Sequence, residues 1–265
     1  WSARRHGVPY IVMPHGGYNV QARGRRYRRK LLWRPVERHY LERALAVHVF
    51  FENETRDAAE VAPKARWLIA PTGFDMPVDR WDGGTGGYLA WLRRYDNRNK
   101  GLDLLVHAMG QLPAQDRLPL RLHGRRSEDS PEDVAKLAHA SGLADVVTVG
   151  GQIGEDEKRD FFRRAAAYVH PSRWESHSLG LVEALAYGIP SVVSVFCVIA
   201  PELRAANAAV IVEPTPDGIA QGLSTLLRRP QEYSDRAIRF VQTSLAWNVI
   251  TDHYLRQIER LRNGK

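Results

Sequence analysis

Short β-rich runs alternate with helical patterns along almost the whole chain, and this alternation restricts the possible folds more than any other feature. "VPYIVM" (8–13), "AVHVFF" (46–51) and "ARWLIA" (65–70) read as buried strands separated by helical stretches. The prolines, acidic turn residues and glycines of "PTGFDMPVDRWDGGTGG" (71–87) then read as a linker. Beyond it the rhythm restarts with strands at "YLAWL" (88–92), "LPLRLHG" (118–124), "DVVTVG" (145–150), "AYVHPS" (167–172), "SVVSV" (191–195) and "AAVIV" (208–212). Crossover helices are what join parallel neighbours, so the pattern predicts an α/β protein with parallel sheets covered on both faces. Three strands before the linker are few for an independent α/β domain. Residues 1–80 therefore read as the second half of a first domain and residues 81–245 as a second domain. Residues 246–265 read as a terminal helix that packs one face against protein, with Trp247, Ile250, Tyr254 and Ile258 close to helical spacing; periodicity does not say which domain receives it, and we expect it to pack back toward the first. The abrupt start at Trp1 leads us to expect roughly 80 to 130 further residues upstream.

With 44% hydrophobic and 26% charged residues, the chain has the composition of a globular protein with a core, not of a disordered or fibrous one. No run approaches the roughly 18 apolar residues of a membrane span. Cys197 is the single cysteine, so no internal disulfide forms and a reducing, cytoplasmic setting is the simplest expectation. The net charge of +8 concentrates in "RGRRYRRKLLWRPVERHYLER", Arg23 to Arg43. Such a block is either a solvated face or a peripheral contact with an anionic membrane or lipid substrate. Nucleic acid is not expected as a partner, because neither zinc-finger spacing nor an RNP-like strand accompanies the charge.

The stretch "PSRWESHSLGLVEALAYGIPSVVS" (171–194) places Glu175 in a loop after a strand and Glu183 about one turn inside the next helix. Ligands of open α/β sheets sit outside the carboxyl ends of the strands, where this loop lies. The first helical amides, around Ser178, Leu179 and Gly180, have no intrahelical acceptor and suit a phosphate. A nucleotide sugar fits this spacing, with Glu175 on sugar hydroxyls, the amides on the diphosphate and Glu183 on the ribose. Two plainer alternatives remain: Glu175 caps the helix, and Glu183 pairs with a neighbouring arginine. In "WLRRYDNRNKGLDLLVHAM", Arg94 and Lys100 either converge on the same cleft, where a leaving diphosphate needs neutralising, or are solvated loop charges.

Taken together these segments resemble the retaining nucleotide-sugar glycosyltransferases of family GT4, which have the GT-B fold. "RYDNRNKGLDLL" is similar to the family's Arg…Lys-Gly segment, and "ESHSLGLVE" to its paired glutamates separated by seven residues. "VPYIVMPHGG", "APTGFD", "APELRAANAAVIVEPTPDGIAQGL" and "SLAWNVITDHYL" follow in the family's order, so the likeness spans nearly the whole chain. It implies two Rossmann-like domains with parallel sheets, the first incomplete here. It also implies transfer of a sugar from a GDP-, UDP- or ADP-linked donor to a hydroxyl of a glycan, lipid-linked or small-molecule acceptor, with no cofactor and no metal. The implied roles put Arg94 and Lys100 on the donor diphosphate, Glu175 on the transferred sugar, Glu183 on the ribose and His15 at the reaction centre. Gly150, Gly151, Gln152 and Ile153 would embrace the base. Read without the resemblance, His15 is either a catalyst or a plain polar contact. His177 and Ser178 depart from the family's usual aromatic and glycine beside the sugar, and Thr72 stands for its usual linker asparagine.

Rival expectations are a GT-B sugar-nucleotide hydrolase or epimerase, which would form product without an acceptor, and a non-catalytic subunit that binds donor and transfers nothing. The joint presence of His15, Arg94, Lys100 and Glu175 argues against the latter.

Overall fold

A computed structural model describes residues 2–19 and 32–264, so residues 23–31 of the basic block lie outside the described part. The chain divides into two compact units, Trp1–Gly73 with Ser244–Lys265, and Phe74–Thr243.

The first unit is built on three parallel strands in the order β1-β2-β3, namely Ile11–Val12, Ala46–Val49 and Trp67–Ile69. Side chains of a strand alternate between faces, and the two faces of this sheet have different partners. Val47 and Val49 pack with Leu41, Val61 and Ala62 on one side. On the other, Ala46 and Leu68 meet Ile250, Tyr254, Ile258 and Leu261 of the terminal helix Trp247–Arg262. That helix therefore uses the spacing seen in the sequence, with Leu261 extending the stripe. Trp247 departs from it: it is 46% exposed, and its ring lies against Gly73, where a Cβ would come within 2.4 Å. Gln257 closes the edge of the sheet, accepting from the Ile69 amide at 3.0 Å and donating to the Ile69 carbonyl at 2.8 Å. One side-chain amide thus pairs both backbone groups that an edge strand would leave open.

The second unit carries six parallel strands in the order β6-β5-β4-β7-β8-β9. They are β4 Leu89–Leu92, β5 Leu120–His123, β6 Val147–Gly150, β7 Ala167–His170, β8 Ser191–Ser194 and β9 Val210–Val212. Leu89 and Trp91, Leu120 and Leu122, Val169 and Val192 point to one face and pack on helices Leu102–Gln111 and Pro216–Leu226. Trp91, Leu102, Leu105 and Met109 are fully enclosed, and each such side chain stabilises the fold by about 1.5–3 kcal/mol relative to exposure. On the opposite face Tyr168 meets Phe162 edge-on at 5.8 Å. Chain order grows outward in both directions from β4 and β7, so the sheet changes direction between those two strands. The crevice at their carboxyl ends is where such sheets bind ligands.

No described helix is long and apolar enough to cross a membrane.

Replacing Gln257 by Leu should leave the Ile69 N–H and C=O without their partner, at a cost of about 1–2 kcal/mol. Native-state hydrogen exchange should show the Ile69 amide losing protection while amides of β4 and β5 keep theirs. Unchanged protection at Ile69 would contradict this account of the sheet edge.

Candidate donor-binding site

The loops after β4 and β7 are stitched together by the residues that shape them. Asp96 caps the short helix Asn97–Lys100, accepting from the Asn99 amide at 3.1 Å. Gly101 ends that turn at φ 66°, and a Cβ there would stand 2.4 Å from the Pro171 carbonyl oxygen. Only glycine permits this backbone and this approach. From the other loop, the Arg173 amide donates to Asn99 O at 2.8 Å. Its guanidinium grips Asn97 O at 3.0 Å and both Asp103 oxygens at 2.9 and 2.6 Å. A bidentate arginine–carboxylate pair fixes orientation as well as distance.

The loop after β8 holds the backbone of Glu175, whose amide donates to Phe196 O at 3.3 Å while its carbonyl accepts from Val198 N at 2.9 Å. Three successive carboxyl-end loops therefore place this one carboxylate. Ser178, not Glu175, caps helix Leu179–Tyr187, its hydroxyl accepting from Leu181 N at 3.2 Å.

Glu175 receives Lys100 Nζ at 2.6 Å and Arg93 Nη2 at 3.0 Å on the same Oε2 atom. The other end of the Arg93 guanidinium donates to the Ser178 hydroxyl. Lys100 is only 2% exposed, and burial first, then the Arg93 guanidinium, lower its pKa from the ordinary lysine value against the pull of Glu175. His170 Nε2 stands 3.8 Å from the same carboxylate oxygen. Burial, then Arg93 and Lys100, hold that imidazole well below its ordinary pKa, so it is neutral near pH 7.

Glu183 pairs with Lys158 at 2.8 Å, and Lys158 also reaches Glu155 at 2.8 Å. Lys158 lies on helix Glu155–Arg163, which begins directly after the Gly150–Ile153 segment, so the ion pair ties that helix to Glu183. Gly150 sits on the His123 ring, where a Cβ would come within 2.5 Å, and its carbonyl accepts from the Tyr95 hydroxyl at 2.8 Å. Gly151 and Gln152 are exposed, and Ile153 is half-buried.

The structure brings Lys100, Glu175 and Ser178 into one cluster, with Leu179 and Gly180 in the first turn of the capped helix and His177 half-buried just before it. Arg94 is not on Glu175: it is 47% exposed and faces Asp96 at 3.6 Å. Arg93, which the sequence reading passed over, takes that position. The missed signal is that neighbouring residues at a strand end point to opposite sides, so only one of two adjacent arginines can enter the crevice. Glu183 makes a plain ion pair of the kind the sequence also allowed, with Lys158 in place of an arginine. His15 belongs to the first unit, exposed on a turn after β1 with φ 48° and its ring 5.8 Å from that of Phe50. Among the described residues no group of three or more His, Cys, Asp or Glu is placed to hold a metal ion.

Comparison with known proteins agrees with this geometry. Residues 88–242, more than half of the chain, match the family described as glycosyl transferases group 1. The GDP-mannose:cellobiosyl-diphosphopolyprenol alpha-mannosyltransferase of Xanthomonas oryzae is 27% identical over 193 residues, 71% of this chain and 50% of that protein. D-inositol 3-phosphate glycosyltransferase 1 of Catenulispora acidiphila is 34% identical over 124 residues, 44% of this chain and 30% of that protein. The chain thus spans half or less of the length of these curated relatives. Among solved structures, sucrose-phosphate synthase from Thermosynechococcus elongatus superposes with a TM-score of 0.82 at 22% identity, over 100% of this chain and 71% of that one. Anabaena HepE, solved with UDP and glucose, does so at 0.79 and 14%, over 99% of this chain and 74% of that one. The fold is that of the GT-B architecture, and the chain belongs to the glycosyl transferases group 1 family.

Proposed function

We propose that the chain is the donor-binding part of a retaining glycosyltransferase that moves a sugar from a nucleoside-diphosphate sugar to a hydroxyl of a carbohydrate or lipid-linked acceptor, without a metal. One observation carries the reading: at the crevice where the sheet changes direction, Glu175 is held on Lys100 beside the capped start of a helix that carries Glu183 one turn further on. In this reading the amides of Leu179 and Gly180 take the diphosphate. Lys100 from the buried wall and Arg94 from the exposed rim stabilise the charge that develops as the diphosphate departs. Cationic side chains then do the electrostatic work that a divalent ion does elsewhere.

Glu183 takes the ribose hydroxyls, sharing its oxygens with Lys158 or leaving it, while Gly150 to Ile153 embrace the base. Glu175 contacts the transferred sugar, with His177 and Ser178 beside it shaping which sugar fits. The resemblance assigns His15 to the reaction centre, and that assignment is part of the proposal. Attack by the acceptor hydroxyl on the face the diphosphate leaves preserves the anomeric configuration without a carboxylate nucleophile. The names of two matched proteins support the donor class, one a GDP-mannose enzyme with a lipid-linked acceptor and one bound to UDP and glucose.

A peripheral contact with anionic membrane at the cytoplasmic face also belongs to the reading. The described end of the basic block supports it: Trp33, Val36 and Tyr40 are 69%, 60% and 40% exposed at helical spacing, beside Arg34 and Arg38. Sedimentation with anionic and neutral vesicles at low salt is the check. Preference for the anionic ones that fades as salt rises supports the contact, and equal binding to both removes it.

The two glutamates should fail differently in the full-length enzyme. Glu183→Gln should raise KM for the donor and leave kcat comparatively intact, because a ribose contact is the same in the ground and transition states. Glu175→Gln should lower kcat by about 10² or more, corresponding to roughly 3 kcal/mol of lost transition-state interaction. It also leaves Lys100 and Arg93 buried without their carboxylate, so unfolding should become easier by about 3–5 kcal/mol. NMR of the product, formed by wild-type enzyme in EDTA, should show the donor's own anomeric configuration. Inversion, loss of activity in EDTA, or identical kinetic defects in the two variants would contradict these assignments.

A further inference from the structure

Glu183 is the single charged residue of helix Leu179–Tyr187, and its neighbours Leu181, Val182, Ala184 and Leu185 are buried. A carboxylate in such surroundings is costly unless a partner stands close. The partner comes from another helix: Lys158 Nζ lies 2.8 Å from Oε1 of Glu183, and each of the two side chains is only 20% exposed. Oε1 is thereby taken, and no described residue donates to Oε2.

Lys158 is held in turn. It stands near the start of helix Glu155–Arg163, which follows the Gly150–Ile153 segment, and Glu155 accepts from the same Nζ at 2.8 Å. Burial lowers its pKa, but the hydrogen bonds to Glu155 and Glu183 outweigh that and raise it, so the group is cationic near pH 7. Among the described residues this group thus holds one cation and two carboxylates. The surplus of acceptors suits the hydroxyl donors of a sugar and not the oxygens of a phosphate.

Resting on the donor reading above, we propose that Lys158 is a positioning residue for the donor: it pins Oε1 of Glu183 before a nucleotide arrives, leaves Oε2 to the ribose hydroxyls, and so sets how strongly the site prefers a ribonucleotide to one without those hydroxyls. Ordering a flexible side chain on binding weakens affinity, and a carboxylate already fixed avoids that loss. Without the ammonium, Glu183 has no counter-ion on an apolar helix and turns toward solvent or takes up a proton. Either change removes an acceptor from the ribose. Glu155 keeps Lys158 in place while a hydroxyl joins it on Glu183, so the pair need not break.

The test is calorimetric titration of the full-length protein with the diphosphates of uridine, guanosine and adenosine and with their 2′,3′-dideoxy forms. The proteins compared are wild type, Lys158→Met, Lys158→Arg, Glu183→Gln and the double variant Lys158→Met/Glu183→Gln. Wild type should bind the ribose form of its preferred base at least about tenfold more tightly than the dideoxy form, which is what a hydrogen bond to a charged group supplies. Lys158→Met should cut this preference by about threefold to tenfold, the loss expected from ordering one side chain on binding, and leave affinity for the dideoxy form unchanged. Lys158→Arg should keep most of the preference. In the double variant it should equal that of Glu183→Gln alone, because Lys158 acts only through Glu183. The unfolding transition of each variant checks its fold, and Lys158→Gln carries the same test if the methionine variant does not fold. A preference unchanged or raised in Lys158→Met, a parallel loss for the ribose and dideoxy forms, or a further loss in the double variant overturns the role of Lys158 and leaves the donor reading standing. A wild type indifferent to the hydroxyls overturns the ribose role of Glu183 and this inference with it, and a folded wild type that binds none of the three diphosphates overturns the donor reading as a whole.

Discussion

The carboxylate of Glu175, shared by Lys100 and Arg93, is the contact on which the site depends. It joins residues 75 and 82 positions apart in sequence, and it does so at the boundary where the sheet changes direction. Removing charges from water is costly, and the cost is recovered only when partners stand at hydrogen-bonding distance. The surrounding loops supply that accuracy. Arg173 bridges to Asp103, Gly101 lets one loop pass against the other, and a backbone bridge to Cys197 holds Glu175 from a third side. None of these groups needs to touch a ligand, yet each limits where the carboxylate can be.

Much of this was legible in the sequence. The strands were visible because each is a short apolar run bounded by turn residues, and the parallel arrangement followed from the helical patterns between them. Lys100 and Glu175 stood out because they lie in loops at strand ends, where α/β sheets bind ligands, but position alone left each open to a plainer reading and only the family resemblance drew them together. What periodicity could not supply was pairing at long range. Arg93 and Arg94 are equivalent on paper, and only the pleat decides which one enters the crevice. Lys158 drew no notice because its partner Glu183 lies on another helix. Gln257 reads as an ordinary polar residue on an amphipathic helix, although it completes a strand edge 188 positions away. The division of the chain falls after Gly73, inside the stretch read as a linker, and Ser244 begins the return to the first unit.

Both glutamates of the site have cationic partners within the protein. Glu183 has Lys158, and Glu175 has two partners. On the proposed reading, a donor competes for carboxylate oxygens that already accept hydrogen bonds from Lys100, Arg93 and Lys158.

The most direct measurement is a structure of the full-length protein with a bound nucleoside diphosphate. The account predicts phosphate oxygens within about 3 Å of the amides of Leu179 and Gly180 and of Lys100 Nζ, with the ribose hydroxyls on Glu183. A nucleotide whose phosphates lie away from the start of helix Leu179–Tyr187, or whose ribose leaves Glu183 paired only with Lys158, would contradict it.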